Sequence, residues 1–202
     1  MRYKIKISAV AVTATIALTG CEVPFSQADG VGGSETARQQ LASLRIAPEL
    51  EVDYDRDDWL PGGWMTCVRE EVLQRDADDL VAGKGCKVPD GQWTSPYDGE
   101  VISHPSDVDV DHVVPLGDAA RSGGHEWPEG RRIEFANDTR FLVAVSQSSN
   151  RSKGDDDPAD WLPERADYVC EYVQTWIAAK AEYDLTADQA EHDALTRELQ
   201  GC

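Results

Sequence analysis

The chain has 202 residues, 41% of them hydrophobic and 28% charged, with 38 Asp and Glu against 19 Lys and Arg for a formal net charge of -19. That length accommodates one core-bearing domain with short extras, and the apolar content excludes a wholly disordered chain. The acidity argues against a nucleic-acid partner, because a protein of pI near 4.4 repels phosphate unless a local patch reverses the field.

The first residues read as an address rather than as structure. Arg2, Lys4 and Lys6 precede the apolar run AVAVTATIAL, which small residues close. The run falls short of the roughly 20 residues a membrane-spanning helix needs. Residues 1–20 are expected to be removed as an export signal and residues 21–34 to form a flexible tether. Leu18-Thr19-Gly20-Cys21 is similar to the bacterial lipobox. That resemblance implies lipidation at Cys21 and a place on the outer face of a bacterial membrane, with simple secretion as the alternative. Losing residues 1–20 removes three basic side chains and no acids, leaving 16 positive against 38 negative charges, or -22.

Cys67, Cys86, Cys170 and Cys202 remain, an even number in an exported chain, and they are expected to form two disulfides. Three pairings are open, and chain order favours Cys67 with Cys86 and Cys170 with Cys202. No CxxC occurs, which argues against a structural zinc knot.

Along the mature chain, Ser34 is placed to cap a helix in which Ala37, Leu41 and Leu44 share a face and which Pro48 stops. The stretch ELEVDYDRDDWLPGGW holds six acids without EF-hand spacing and reads as a solvated loop. Val68, Val72 and Leu73 predict a helix over 66–82, with Leu80 opening a further turn. Strand-like pieces follow at 86–88 and 92–94, split by the turn residues Pro89, Asp90 and Gly91. The alternation of Val108, Val110 and His112 with Asp109 and Asp111 predicts a strand ended by Pro115. A helical piece over 129–137, a buried strand FLVAV at 141–145, a helical region over 158–180 and a last helix over 187–199 capped by Thr186 complete the chain.

The chemistry concentrates around DVDVDHVVPL. At the strand end before Pro115 the chain is able to turn so that Asp111 and His112 reach one site. An Asp binds a hard cation, and a neutral His accepts a proton from water. Downstream, SSNRSKGDDD offers Asn150 as a neutral oxygen ligand at a helix start. Strand, loop, strand and helix with ligands at both ends make a one-metal nuclease plan.

Residues 107–162 resemble the HNH nucleases of the ββα-metal, or His-Me finger, superfamily. Residues 35–202 are similar to secreted bacterial HNH-family proteins related to the C-terminal nuclease domain of GmrSD-type restriction enzymes. The matching pieces are DVDVDHVVPL, RRIEFAND, SSNRSKGDDDPADWLP, CVREEVLQRD and GCKVPDGQWTSPYDG. The resemblance implies an α+β domain, mostly helical, around a ββα-metal core. It implies His112 as general base, Asp111 and Asn150 as ligands of a divalent ion (Mg²⁺ first, Mn²⁺ or others next), and Arg151 or Lys153 as a phosphate clamp. It also implies a nucleic-acid substrate, DNA before RNA, with 5′-phosphate and 3′-hydroxyl products. One position departs from the family pattern: the middle Asn is replaced by Phe141, and Asn137 is the candidate for its role. The alternative is a catalytically silent, lipid-anchored binding module. No protein partner is evident, and a monomer is expected.

Residues 121–153 soften the objection from charge. They hold Arg121, Arg131, Arg132, Arg140, Arg151 and Lys153 against Glu126, Glu129, Glu134 and Asp138, a local +2. Metal-free affinity for DNA is expected to be weak. His104, His125 and His192 are expected to pack or face solvent, and Trp93, Trp127 and Trp161 to anchor core and loops.

Overall fold

The computed structural model describes residues 33–81 and 83–202. The export signal, the tether up to residue 32 and Cys21 lie outside the described residues. The elements run α1 (Ser34–Ser43), α2 (Val68–Asp76), β1 (Asp79–Val81), β2 (Asp90–Thr94), β3 (Val101–Ile102), β4 (Val108–His112), α3 (Leu116–Arg121), α4 (Glu129–Ala136), β5 (Leu142–Ser146), α5 (Gln147–Lys153), α6 (Val169–Tyr183) and α7 (Gln189–Gln200). Among the described residues, β1, β2 and β3 form one antiparallel sheet, and β4 and β5 form a second. The fold is α+β, with the ββα unit β4–β5–α5 at its centre.

Strand β5 is buried on both faces because it separates two cores. Val143 and Val145 join the larger core, built on Tyr172, Val173, Trp176 and Ile177 of α6, while Leu142 and Ala144 join the smaller one with Val72, Leu73, Trp93 and Ile102. Two-residue alternation makes this division possible. The two-stranded sheet ends in side chains rather than in a third strand. Asp76 accepts from Ala144 N at 2.9 Å, Arg75 donates to Leu142 O at 2.6 Å, and Arg69 donates to Val108 O at 3.0 Å. Such cover keeps an edge from pairing with another chain.

The two disulfides are Cys67–Cys86 and Cys170–Cys202, closing separations of 19 and 32 residues. Each restricts the unfolded chain by roughly 3 kcal/mol in the loop-entropy account. The first ties the start of α2 to the segment after β1, and the second ties α6 to the chain end.

Several local expectations change. Residues 79–81 are strand rather than helix, because Leu80 pairs with Gly91 across a sheet the helical spacing did not register. Residues 86–88 form no strand, and residues 158–168 lead into α6 without joining it. Asn150 sits inside α5 rather than at its start, and Ser146 caps that helix. The last helix is capped by Asp188, which accepts from Glu191 N at 2.8 Å, while Thr186 donates to Ser122 O. Asp188→Ala is expected to cost about 1 kcal/mol in urea unfolding. Thr186→Ala at a similar cost, with Asp188→Ala neutral, would reverse that assignment.

Candidate active site

Alternation along β4 places Asp109 and Asp111 on one face and His112 on the other. Asp109 and Asp111 pair with Val145 and Val143, and His112 pairs with Leu142. Asp111 and His112 therefore flank the end of β4 from two sides instead of sharing one face.

On the acidic face, α5 docks with Asn150 and Lys153 one turn apart. Lys153 Nζ lies 3.0 Å and 2.8 Å from the two oxygens of Asp111 and donates to His112 O at 2.8 Å. Tyr97 OH donates to Asp111 Oδ2 at 2.6 Å. The lysine side chain is fully buried and Asp111 nearly so. Burial raises the Asp111 pKa from the ordinary carboxylate value, against the opposing pull of the Lys153 ammonium. Asn150 Nδ2 donates to Asp109 Oδ2 at 2.9 Å.

On the other face, His112 Nε2 lies 2.8 Å from Ala136 O at the end of α4. A carbonyl only accepts, so Nε2 carries the proton and Nδ1 keeps a lone pair. Burial lowers the ring pKa to about 3, with the Ala136 bond opposing and the charges of Arg56 and Lys153 adding to the drop. The imidazole is therefore neutral at physiological pH. Trp64 stacks on it with ring centroids 5.1 Å apart and planes 15° apart. The segment carrying Trp64 enters through Gly62 and Gly63 at φ 75° and 94°, where a side chain would be strained. Asn137 Oδ1 holds the segment by accepting from Met65 N at 2.9 Å. Asn137 thus acts on the cover of His112, and Phe141 sits in the core against Tyr183. Trp64→Ala should raise the rate at which diethyl pyrocarbonate modifies His112 at least tenfold, read by peptide mass spectrometry. An unchanged rate would mean that reagent reaches the ring from another side.

Lys153 and Tyr97 hold both oxygens of Asp111, and the Lys153 ammonium is enclosed in the same contacts. Asp109 Oδ1 and Asn150 Oδ1, on half-buried side chains, have no partner among the described residues. These two oxygens fit a hard cation that takes its other ligands from water and phosphate. No group of three or more His, Cys, Asp or Glu side chains converges among the described residues.

The local basic surplus is also largely spent inside the fold. Arg121 binds Glu49 and Asp155, Arg140 binds Asp138 and Glu182, and Arg131 lies over Trp127 and Tyr183. Arg132 donates to the carbonyls of Asp58 and Trp127. Arg151 is exposed, held only by Gln147 one turn away at 3.2 Å. Trp93 anchors the smaller core through Leu73 O, and Trp127 and Trp161 pack against the larger one. Tyr97 lies in the matching piece GCKVPDGQWTSPYDG without being marked as a site residue, and Trp64 lies outside all five pieces.

The match that decides the family is to the C-terminal domain of GmrSD restriction endonucleases, over residues 69–198. The chain belongs to this family. The matched stretch contains Asp109, Asp111, His112, Asn137, Asn150, Arg151 and Lys153, and its description makes a nuclease-type function the broad expectation for a GmrSD C-terminal domain. The chain is also 36% identical to a protein of Arthroderma benhamiae described as an uncharacterized secreted protein, over 98% of this chain and the whole of the relative. That relative is fungal, so the likeness is not confined to bacteria. No solved structure matches. The two disulfides are of the kind that persists in an oxidising compartment. No helix among the described residues is long and apolar enough to cross a membrane.

Proposed function

We propose that this GmrSD C-terminal domain protein is an exported, metal-dependent endonuclease that hydrolyses phosphodiester bonds of DNA, with His112 as general base. The observation that carries the reading is the state of His112. Its Nε2 is fixed on Ala136 O, its ring is neutral, and its Nδ1 lone pair is free to take a proton from water. The family match supplies the reaction class.

In this reading the substrate phosphodiester straddles the end of β4, between His112 on one side and the Asp109, Asp111 and Asn150 face on the other. Asn150 and an aspartate of β4 would hold the cation, Mg²⁺ or Mn²⁺. A bound divalent ion there supplies positive charge for the phosphate and the departing 3′ oxygen. Arg151 is free to contact a neighbouring phosphate. Trp64 keeps bulk water from His112 and must shift for substrate to approach. Export through residues 1–20 and a lipid anchor at Cys21 belong to the same proposal, with the chain acting as a monomer.

The occupied carboxylate of Asp111 and the covered ring of His112 favour a second reading, a binding module that keeps the fold without turnover. Incubating the disulfide-bonded chain with plasmid DNA, and separately with RNA, in Mg²⁺, Mn²⁺ or EDTA separates the two. Cleavage in metal that EDTA abolishes is the expected result. Absence of cleavage with every ion and either nucleic acid would leave the binding module.

A further inference from the structure

We propose that Lys180 and Asp118 condense into an intramolecular isopeptide bond, with Glu191 as the catalytic proton carrier. The three side chains meet between α3, α6 and α7, and none of them belongs to the candidate active site. Lys180 Nζ lies 3.0 Å from Asp118 Oδ1 and 2.7 Å from Glu191 Oε2. All three residues are at most 1% exposed, and the buried Trp176 lies beside the amine, its ring centroid 5.5 Å from Nζ. An amine fixed at hydrogen-bond distance from a carboxyl group, with bulk water excluded, has the proximity that turns a slow bimolecular reaction into a fast intramolecular one. Asp118 Oδ2 is also buried with no hydrogen-bond partner among the described residues, a costly state for a carboxylate oxygen.

The bond forms with the loss of one water. Burial opposes the charge on Lys180, but the carboxylates of Asp118 and Glu191 outweigh it and raise the ammonium pKa, so the reaction starts from an ion pair. Glu191 Oε2 accepts one proton from Nζ, and burial, which raises the Glu191 pKa to about 7, favours that neutral form. The freed lone pair of the amine attacks Asp118 Cγ. One carboxyl oxygen then leaves as water with two of the ammonium protons, one of them returned by Glu191, and the remaining proton stays on the amide nitrogen. Two buried charges become one neutral amide, which removes the cost of holding ions out of water. Ser122 Oγ and Thr186 O also hold Nζ, each at 3.0 Å, and both residues line a cavity of about 480 Å³ that receives the released water. Glu191 stays buried beside the amide, so its own titration survives the bond. The link joins α3 to α6 across a longer stretch of chain than either disulfide closes, and it withstands reductant.

The test is peptide mass spectrometry of the full-length chain, incubated at neutral pH, then reduced, denatured and digested with trypsin. Trypsin does not cut after a lysine held in an amide, so the bond predicts residues 88–121 joined to residues 166–197, lighter than the two separate peptides by one water. Most of the wild-type chain is expected in this form, and Asp118→Ala and Lys180→Arg are expected to show none of it. Glu191→Gln keeps the side-chain volume and the acceptor for Trp176, and at the same time after expression it is expected to hold at least tenfold less of the joined peptide. The wild-type measurement decides whether the bond exists without depending on any variant folding. Separate peptides ending at Arg121 and Lys180 in wild type with a native near-UV circular dichroism spectrum would overturn the proposal. Equal linkage in folded Glu191→Gln would overturn the role of Glu191.

Discussion

Plasmid cleavage by His112→Ala is expected to be slower than wild type by about 10²- to 10⁴-fold, the usual worth of a positioned general base. The loss should fall on turnover more than on substrate binding, because the imidazole contacts a proton in flight rather than the nucleic acid. The pH profile tests the same assignment independently. Burial holds the His112 pKa down to about 3, so the ring is unprotonated throughout the neutral range and ready to act as base. Cleavage between pH 5 and 8 should therefore show no acid limb that disappears with His112→Ala. A limb with its midpoint near the ordinary imidazole value would mean that Trp64 lifts and the ring is solvated in the working state. Full cleavage by His112→Ala would reject the assignment outright.

The second large effect lies away from the site, in a buried cluster of one cation and two carboxyl groups. Lys180 Nζ reaches Asp118 Oδ1 at 3.0 Å, Glu191 Oε2 at 2.7 Å, Ser122 Oγ at 3.0 Å and Thr186 O at 3.0 Å. Trp176 Nε1 donates to Glu191 Oε1 at 2.5 Å, and Asp118 Oδ2 is buried with no hydrogen-bond partner among the described residues. All three charged groups are buried. Burial, helped by the Asp118 charge and opposed by Lys180, raises the Glu191 pKa to about 7. An unfolded glutamate titrates near 4.5, so between about 4.5 and 7 the folded chain keeps a proton the unfolded chain has released. Stability from Glu191 consequently falls as pH rises through that window.

His112 has the opposite sign. Its folded pKa of about 3 lies below the unfolded 6.5, so between those values the unfolded chain holds the extra proton and stability rises with pH. Where the windows overlap, about 4.5 to 6.5, the two contributions oppose, each with a limiting slope of about 1.4 kcal/mol per pH unit. Glu191→Gln removes the falling limb. Relative to wild type, its urea-unfolding free energy should gain on the order of 3 kcal/mol between pH 4.5 and pH 7. His112→Ala should tilt the other way, losing stability relative to wild type as pH rises from 3 to 6.5. Profiles that run parallel to wild type in both variants would show that neither group titrates as its burial requires.

Period and parity make much of this protein legible from sequence. The alternation of Val108 and Val110 with Asp109 and Asp111 marked β4, and the uninterrupted FLVAV marked a strand covered on both faces. The even count of four cysteines after Cys21 pointed to two disulfides, and chain order pointed to the observed pairs. Helix α4 appeared within a residue of its bounds, because amphipathic spacing is a local property. Elements made by pairing were harder to see: β1 reads as helix until Leu80 is found opposite Gly91.

At the site the division is sharper. Residue types near His112 named the candidates, yet which atoms meet depends on residues some 40 positions apart in the chain. Lys153 reads as a surface base in SSNRSKGDDD, and only the docking of α5 on β4 turns it inward onto Asp111, across 42 positions. Nothing in the spacing of Lys180, Asp118 and Glu191 brings one ammonium between two carboxyl groups, because helices α3, α6 and α7 must first pack. The overall charge of -19 was misleading in the same way. The basic residues that lend the middle of the chain a local surplus are mostly consumed by internal partners, leaving Arg151 at the surface beside the candidate site. Sequence by itself determined strands β4 and β5, helix α4, the last helix within about two residues, and the chemical types present. The tertiary structure alone decided which of those groups are free to act, since desolvation and pairing depend on neighbours that lie far away in the chain.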